Sequence, residues 1–393
     1  MMQHPSEATR AITLAGGGPA AGLHIGVLLA LDEFNAEHAA NPINFDVWAL
    51  SCIGAWVGIV YNTFTERNAE QTRDLFRDQI FRDKDGYTNY PVNRAFGPDS
   101  LGYIKAWRDF VTNPKSYDKL VLPSHLMDAA FNWFSLFTDP RPLLSEADRN
   151  AWWHNNVLAV NPAVRFMMSL MYLSPINGLT KIHYEDSSFL RSMDFDRLDV
   201  VAPHIYHNAW KLPIVDDQQN VVQPGSMKLF HNRPHEVDSA KYENLSRKSL
   251  CACSALPFIE QTVYINGNEY CEGALVDTVN FKDLLEDYPN LEEVWVVRIV
   301  DVQQVRSPKN LADALANLCM MFAAETGEND VKLFKQHMHK RRHRRPRIIE
   351  IPVSPKINFE WNDTNLENGI AAGRAAMVPV LTSYAESSFT FVN

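Results

Sequence analysis

The segment Asp46–Val60, DVWALSCIGAWVGIV, joins a short apolar run to a helical pattern through a turn of small residues. Val47 to Leu50 predicts a buried strand, and the residues that follow the turn favour a helix. Cys52 lies in the turn between the two elements. Two interpretations of this residue are open: a small hydrophobic side chain in the core, or a nucleophile at a strand-to-helix elbow.

The same arrangement occurs earlier in the chain, where AITLAGGG predicts a buried strand that ends in glycines. The helix predicted after it carries apolar residues at helical spacing, Leu23, Val27, Leu28 and Leu31. Alternating strands and helices are typical of a parallel sheet covered by helices. The alternation returns after residue 195 in four further segments, LDVVAPHIYH, SMKLFHN, QTVYING and LEEVWVVRIV.

The remaining segments predict how the domain is organised. Residues 83–195 are rich in aromatic residues and interrupted by prolines, which favours a helical insertion or lid. Residues 301–393 predict a long helix from Asn310 to about Lys340, a strand in RIIEIPV and a last amphipathic helix. We therefore expect one α/β domain over 1–393, with the insertion at 83–195 and a C-terminal helical and strand extension at 301–393.

Charge, cysteine usage and the N-terminus exclude several classes of protein. The chain has 393 residues and a net charge of −10, which argues against a nucleic-acid partner. Its five cysteines include no pair with zinc spacing, so neither a metal nor another cofactor is predicted. The first residues, MMQHPSEATR, lack the apolar core of a signal peptide, and no window reaches the about 18 apolar residues of a spanning helix. A cytoplasmic protein is expected.

The glycine loop and the elbow carry the candidate chemistry. The loop Gly16-Gly17-Gly18 lacks the spacing of a dinucleotide loop and the lysine of a P-loop, which leaves a tight turn or a set of oxyanion donors. A nucleophile elbow needs a small residue two positions after the nucleophile, and Gly54 meets this requirement for Cys52. Ser51 misses that register.

A third segment, SLCACSALPFIEQTVYINGNEYCEGALVDTVNF (Ser249–Phe281), completes a pattern that resembles the patatin-like phospholipase family. That family places a glycine-rich oxyanion loop after its first strand, a G-x-S-x-G-A elbow after the next, then an A-S-x-A-x-P segment and a D-G-G/A motif that closes a Ser-Asp dyad. The order and spacing agree over about residues 10–75 and 195–300. In this chain Cys52 replaces the serine, Glu272 replaces the aspartate, and Ala20 replaces the basic residue of the loop.

The resemblance implies a fold and a reaction. The expected fold is a three-layer α/β/α arrangement with a mainly parallel central sheet and a helical insertion. The expected reaction is acyl transfer or hydrolysis on a lipid ester or acyl-thioester, including acyl-CoA or an acyl carrier protein, through an acyl-Cys52 intermediate. Glu272 would be the general base, Gly16, Gly17 and Gly18 the oxyanion hole, and Gly54 with Ala55 the elbow.

The paired change in the dyad is chemically consistent. A thiol with a reference pKa of ~8.5 needs a weaker base than an alcohol, and glutamate reaches one methylene further than aspartate. Two alternatives stay open: a lipid acyl hydrolase of phospholipase A type, and an inactive lipid-binding scaffold in which Cys52 is a core residue. His24 and Cys271 are interpreted as structural, although Cys271 is also a candidate disulfide partner of Cys52.

Two further features are candidates for lipid contact. Residues of the insertion offer adaptable apolar surface for an acyl chain. We expect the channel for this acyl chain to be lined by Phe131, Trp133, Phe134, Phe137, Met167, Met168 and Met171. The basic run KQHMHKRRHRRPR, Lys335–Arg347, is either a solvated helix end or a peripheral contact with an anionic membrane.

Overall fold

The computed structural model describes two compact units of the chain. One comprises residues 1–97 and 180–393, and the other residues 98–179. Within these units the structure describes residues 5–64, 68–82, 96–112, 123–139, 145–158, 161–182, 187–237, 241–281, 283–340, 345–353, 355 and 360–389. The first part of the predicted insertion, residues 83–95, therefore lies outside the described residues.

The strands are numbered here in chain order. They are β1 Arg10–Leu14, β2 Val47–Leu50, β3 Phe96–Pro98, β4 Gly178–Ile182, β5 His204–Lys211, β6 Ile214–Val215, β7 Val221–Gln223, β8 Ser226–His231, β9 Tyr242–Asn244, β10 Phe258–Glu260, β11 Val263–Ile265, β12 Asn268–Glu272, β13 Glu293–Arg298 and β14 Arg347–Pro352.

The helices are numbered in the same way. They are α1 Ala21–Glu37, α2 Ile53–Thr63, α3 Ala69–Gln79, α4 Ser100–Thr112, α5 Pro123–Ser135, α6 Glu146–Trp153, α7 Pro162–Tyr172, α8 Ser188–Ser192, α9 Arg247–Cys253, α10 Leu284–Asp287, α11 Leu311–Lys340 and α12 Asp363–Phe389. Shorter helical turns occupy Pro5–Glu7, His154–Leu158, Asp196–Asp199, Pro234–Glu236, Gly273–Leu275 and Val302–Gln304.

A mixed, mostly parallel sheet forms the centre of the first unit. Among the described residues it has nine strands, in the order β11-β12-β5-β2-β1-β13-β14, with β8 and β9 branching from β5. The five neighbours from β5 to β14 are parallel. In contrast, β12 and β8 run antiparallel to β5, and β11 runs antiparallel to β12. The α/β fold with a mainly parallel sheet is thus confirmed.

Apolar side chains cover both faces of this sheet. On β2, Trp48 and Leu50 belong to one core cluster, while Val47 and Ala49 belong to the other. The alternation follows from the pleat, since successive side chains of a strand point to opposite faces. A strand buried on both faces needs a continuous apolar run, which is why VWAL and VWVV contain no polar residue.

Helices α1 and α12 pack closely because both carry glycines where they meet. A Cβ atom on Gly26 would lie 2.1 Å from the Ile370 carbonyl oxygen, and one on Gly373 would lie 2.1 Å from the Leu23 carbonyl oxygen. Helix α1 begins directly after the Gly16–Gly18 loop. The C-terminal helix therefore supports the element that follows the candidate oxyanion loop.

One departure from the predicted elements matters for the site. The segment QTVYING contains a strand as expected, but it is the first strand of a hairpin whose return strand is β12. The turn residues Asn266 and Gly267 have φ of 50° and 78°, as a type I′ turn requires. This hairpin ends at Glu272.

Among the helices of the described residues, none combines the length and the apolar composition that a membrane-spanning segment needs.

Candidate active site

Cys52 occupies a sharp turn between β2 and α2. Its φ of 47° and ψ of −124° lie in a region that residues with a Cβ rarely adopt, at a cost of about 1–3 kcal/mol. The residue that follows is the first of helix α2. Such a turn places the side chain at the carboxyl edge of the parallel sheet, as in a nucleophile elbow.

The elbow closes only because glycine follows Cys52 by two positions. A Cβ atom on Gly54 would lie 2.1 Å from the Leu14 carbonyl oxygen of β1. Ala55 is fully buried, and its N–H donates to the Cys52 carbonyl oxygen at 2.9 Å. Gly54 and Ala55 thus lie at the turn between β2 and α2, and their role in a nucleophile elbow stays a prediction.

Leu50 replaces the glycine usual two residues before a nucleophile, and the structure accommodates it on the helix side. The space is provided by Gly58, on which a Cβ atom would lie 2.6 Å from Leu50 Cδ2. A large side chain before the turn and a glycine one turn into α2 therefore compensate one another. Leu50 and Gly58 can both be read from the sequence, but their contact depends on how helix α2 crosses strand β2.

The structure brings Glu272 to Cys52. Glu272 is the last residue of β12, and its N–H donates to the Ala255 carbonyl oxygen at 2.9 Å. The Cys52 thiol donates a hydrogen bond to the Glu272 carboxylate. Gly273 lets the chain pass β5, since a Cβ atom there would lie 2.9 Å from the Ala209 Cα. Two residues that are 220 positions apart in sequence are thereby in contact.

Burial sets the protonation of both groups. It raises the pKa of Glu272 to about 7, and the hydrogen bond from Cys52 opposes part of that rise. Burial also raises the pKa of the Cys52 thiol well above its usual value, and the charge of Glu272 and the neighbouring Cys253 raise it further. At neutral pH the thiol therefore keeps its proton, while the carboxylate is about half ionised.

The three glycines of the loop have different positions. Gly18 has φ of 57°, and its N–H donates to the Cys52 sulfur. The Gly16 N–H donates to the Thr278 carbonyl oxygen at 3.2 Å, so it is already engaged. A Cβ atom on Gly16 would lie 3.1 Å from the Cys52 Cβ, and one on Gly17 would lie 2.5 Å from Ile299 Cδ1. Gly16 allows the close approach, and Gly18 provides the donor nearest the sulfur.

Ser51 and Cys271 do not take part in this arrangement. The Ser51 hydroxyl is fully buried and donates to Asn208 Oδ1 at 2.9 Å. Cys271 precedes Glu272 on β12, so its side chain points to the opposite face of the strand. The sulfur beside Cys52 is that of Cys253, which accepts a hydrogen bond from the Cys52 N–H at 3.0 Å. His24 binds the Ala15 carbonyl oxygen through Nε2, and burial lowers its pKa to about 4.

Cys52 and Glu272 line a cavity of about 570 Å³ in the first unit. Helix α11 supplies much of the wall through Leu315, Leu318, Cys319, Met320, Phe322 and Ala323. The polar side chains in the lining are few, and they include Ser254 and Glu260 besides the dyad. A largely apolar cavity with a few convergent polar groups is the usual form of a site for a small apolar molecule. Glu260 was not singled out by the sequence.

The residues predicted to contact lipid are not among the described residues that line this cavity. The seven predicted acyl-chain residues belong to the second unit, where Phe131, Phe134 and Phe137 are between 74% and 89% exposed. Their role in lining a channel stays a prediction. Of the basic run, Lys335 pairs with Glu350, and Arg347 lies over the Tyr384 ring at 5.6 Å. Residues 341–344 lie outside the described residues, and membrane contact stays a prediction.

No cluster of three or more His, Cys, Asp or Glu side chains in the described ranges is arranged to hold a metal ion. The cavity lining offers the thiols of Cys52 and Cys319, the Ser254 hydroxyl, two carboxyl groups and backbone N–H donors as its reactive groups.

Comparisons with known proteins identify the fold family. No curated protein matches the chain. A likeness to the crystal structure of VipD from Legionella pneumophila has 11% sequence identity and a TM-score of 0.37, and it covers 96% of this chain and 67% of that one. A likeness of this size says nothing about the site. The family model of the patatin-like phospholipases matches residues 12–285, which include both Cys52 and Glu272. Because this match spans more than half of the sequence, the chain belongs to the patatin-like phospholipase family.

Proposed function

We propose that the protein is a lipid acyl hydrolase or acyltransferase in which Cys52 is the nucleophile and Glu272 the general base. Membership of a family of lipid hydrolases supports an acyl-lipid substrate. One observation carries the residue assignment: the thiol of a strained elbow residue donates to a buried carboxylate with a pKa of about 7, at the wall of an apolar cavity.

In the first half-reaction the Cys52 sulfur attacks the acyl carbonyl carbon. Its proton passes to the Glu272 carboxylate, and the negative charge moves to the carbonyl oxygen. Backbone N–H groups of Gly17 and Gly18 would donate to that oxygen, as glycine loops at helix N-termini do. When the tetrahedral intermediate collapses, the leaving alcohol or thiol takes the proton from Glu272. The product of this step is a thioester on Cys52.

In the second half-reaction an acceptor resolves the thioester. Glu272 removes a proton from water, an alcohol, an amine or a thiol, which then attacks the acyl carbon, and the proton returns to the Cys52 sulfur. A protein thioester is close in energy to an acyl-CoA or acyl-carrier thioester, so exchange with such donors is reversible. We therefore expect transfer to compete with hydrolysis.

Ala20 favours the same substrates. The family's loop carries a basic residue at this position, and its absence removes a cation from the region of the oxyanion donors. An anionic phospholipid then has less to gain from binding here than a neutral ester or thioester. The largely apolar lining of the cavity also limits the water available to the intermediate.

Intact-mass measurement tests the proposal. The protein is incubated with short-chain acyl thioesters and p-nitrophenyl esters, and the adduct is located by peptide mapping. We expect one acyl group on Cys52, lost in Cys52→Ala and retained in Cys271→Ala, the matched buried thiol on the opposite face of β12. Product partitioning across a panel of acceptors then measures transferred acyl against free acid. Labelling that maps to Cys251 or Cys319 would contradict the assignment.

A non-catalytic lipid carrier is the second candidate, and the raised pKa of the buried Cys52 thiol favours it. Such a protein would bind an acyl chain that copurifies without covalent attachment. Denaturing mass spectrometry distinguishes the two, because it removes a bound lipid but leaves an acyl-cysteine intact.

A further inference from the structure

A second carboxyl group, Glu260, faces the same cavity and has no role in the reaction described above. It is the last residue of β10 and lines the cavity together with Cys52 and Glu272. Only 5% of the residue is exposed. Within the part of the chain that the structure describes, its Oε2 atom has no hydrogen-bond partner. A buried oxygen without a partner is rare in folded proteins and calls for an explanation.

The other side of the carboxyl group is held by Thr180. The Thr180 hydroxyl donates to the Ile259 carbonyl oxygen at 2.8 Å and is also hydrogen-bonded to the Glu260 carboxyl group. A hydroxyl has one hydrogen, and here that hydrogen is directed to Ile259. With that hydrogen directed to Ile259, a protonated Glu260 can donate to the hydroxyl oxygen, whereas an ionised Glu260 would need the Thr180 hydrogen for itself.

The surroundings favour this neutral form. Burial raises the pKa of Glu260 well above its usual value; the hydrogen bond with Thr180 opposes part of that rise, and the negative charge of Glu272 adds to it. Two ionised carboxylates in one apolar cavity would repel each other in a medium that screens charge poorly. With the proton directed to Thr180, Oε2 is a carbonyl-type oxygen that can only accept.

We propose that Glu260 Oε2 accepts a hydrogen bond from a neutral O–H or N–H group of the lipid that occupies the cavity. The substrate class is accordingly an acyl lipid with a free hydroxyl or an amide N–H. This inference names the substrate of the proposed function and rests on it in that respect, but the binding point itself needs no chemistry at Cys52. An ammonium head group fits less well, because it requires an ionised partner.

The selectivity among lipids follows from the unequal free-energy costs of binding a ligand with a donor and a ligand without one. A ligand with a donor pairs Oε2, whereas a ligand without one leaves a buried acceptor unpaired and shut off from water. Sites built in this way discriminate by the penalty on the wrong ligand as much as by the gain on the right one. Such a group therefore selects among lipids with the same acyl chain.

Binding to the Cys52→Ala protein tests the inference without acyl chemistry. Isothermal titration calorimetry compares 1-decanol with decyl methyl ether, which has the same chain and no hydroxyl hydrogen. The readout is the ratio of the two dissociation constants, so that general changes in the cavity cancel. Glu260→Leu removes the acceptor. Glu260→Gln keeps it, because the amide NH₂ can donate to Thr180 and leave its carbonyl oxygen in the cavity. Glu286→Gln, an exposed carboxyl outside the cavity, is the control.

We expect the preference for decanol to fall about 2- to 10-fold in Glu260→Leu and to persist in Glu260→Gln and Glu286→Gln. An unchanged ratio in Glu260→Leu would overturn the inference, and so would a loss in Glu260→Gln equal to that in Glu260→Leu. Failure of both ligands to bind the Cys52→Ala protein would overturn it as well. A retained preference together with no acyl adduct on Cys52 in the unmodified protein would support the binding point and refute the proposed catalysis.

Discussion

At the scale of single residues, the proposed dyad would separate the nucleophile, Cys52, from the group that responds to pH, Glu272. Cys52 keeps its proton over the neutral range because burial raises its pKa, while Glu272 titrates near pH 7. The helix that begins after Cys52 favours a thiolate, but burial and the carboxylate outweigh it. Under the proposed mechanism, attack on an acyl group therefore requires the ionised carboxylate.

The first prediction concerns the pH profile. Below pH 7 the value of kcat/KM should fall about tenfold per pH unit, because only the ionised Glu272 can accept the thiol proton. Glu272→Gln should lose ~10²–10⁴-fold in kcat/KM, and Glu272→Asp should also be impaired. Glu269→Gln, on the same strand but outside the cavity lining, is the matched control. A Gln variant with full activity at neutral pH would rule out the base role.

The second prediction concerns stability. The folded pKa of Glu272, about 7, lies above its ordinary value of 4.5, so the folded state loses stability as the pH rises between these values. The Glu272→Gln variant has no carboxyl group at this position, so its stability does not decrease in this way as the pH rises. The free energy of unfolding of the variant, relative to the unmodified protein, should thus increase from pH 4.5 to pH 7 by on the order of 3 kcal/mol. Urea titrations at several pH values measure it, and a difference that does not vary with pH would contradict the buried, titrating carboxyl.

Residue identities were more predictable than residue environments. Cys52, Gly54 and Ala55 were assigned because a nucleophile elbow has a local sequence requirement, and Glu272 was assigned from the resemblance to the patatin-like family; the structure brings Glu272 to Cys52. The neighbours Cys253 and Glu260 were not assigned, since both contacts join segments that are far apart in sequence. The pKa of Glu272 likewise depends on burial, which no local pattern encodes.

At the scale of secondary-structure elements, two helices outside the matched family region shape the site. Helix α12 packs on α1 through paired glycines, and the Asn365 side chain near its start donates to the Pro19 carbonyl oxygen at 3.5 Å. Helix α11 supplies six lining residues of the cavity. The positions of the oxyanion loop and of the cavity wall thus depend on elements beyond residue 285.

The third prediction tests the contact of α1 with α12. Gly373→Ala should destabilise the protein by about 1–3 kcal/mol, because its Cβ would meet a backbone oxygen at 2.1 Å. Gly327→Ala, in helix α11, is the control: its nearest neighbour would be 3.8 Å away, and alanine gains up to about 1 kcal/mol in a helix. Denaturant unfolding should move the two variants in opposite directions, and equal shifts would argue against the close packing.

The fourth prediction tests the cavity wall. Ala323→Phe should fill part of the cavity and lower kcat/KM for long acyl chains at least about tenfold relative to short ones, since each buried methylene contributes about 0.8 kcal/mol. Ala316→Phe, on the same helix but outside the lining, should leave the ratio unchanged. The comparison uses p-nitrophenyl esters of increasing length. An unaltered chain-length profile in Ala323→Phe would exclude this wall from chain binding.

Strands buried on both faces were predictable as continuous apolar runs, and these runs allowed the parallel part of the sheet to be predicted. Strands β8 and β9 were harder to place, because β8 pairs antiparallel with β5 and β9 pairs parallel with β8, and no local pattern indicates either pairing. The return strand β12 contains NEYCE, a polar and mixed segment without the alternation of a half-buried strand. Only the Asn266-Gly267 turn marks it in the sequence.

At the scale of the whole molecule, the chain forms two compact units. The first unit holds the sheet, the dyad and the cavity. The second unit contains helices α4 to α7, which expose large apolar side chains such as Phe131, Phe137 and Tyr172. Exposed apolar surface on this scale is characteristic of binding regions.

The fifth prediction concerns those side chains. If the second unit lines the path of an acyl chain, a photoreactive long-chain fatty acyl probe should label residues 128–173. Peptide mapping after irradiation locates the adducts, and competition with unlabelled lipid controls for non-specific labelling. Replacement of Phe131, Phe134 and Phe137 by serine should reduce the labelling of residues 128–173. Labelling restricted to the chain termini would contradict a role in lipid binding.

The contribution of α11 to the cavity wall also bears on how such a protein can diverge. Cys52 and Glu272 both lie within residues 12–285, which match the family model, whereas helix α11 lies beyond that region and supplies much of the cavity wall. Under the proposed function, substitutions in residues 311–340 would change which lipid is accepted and leave Cys52 and Glu272 in place. Related chains should accordingly drift fastest in this helix.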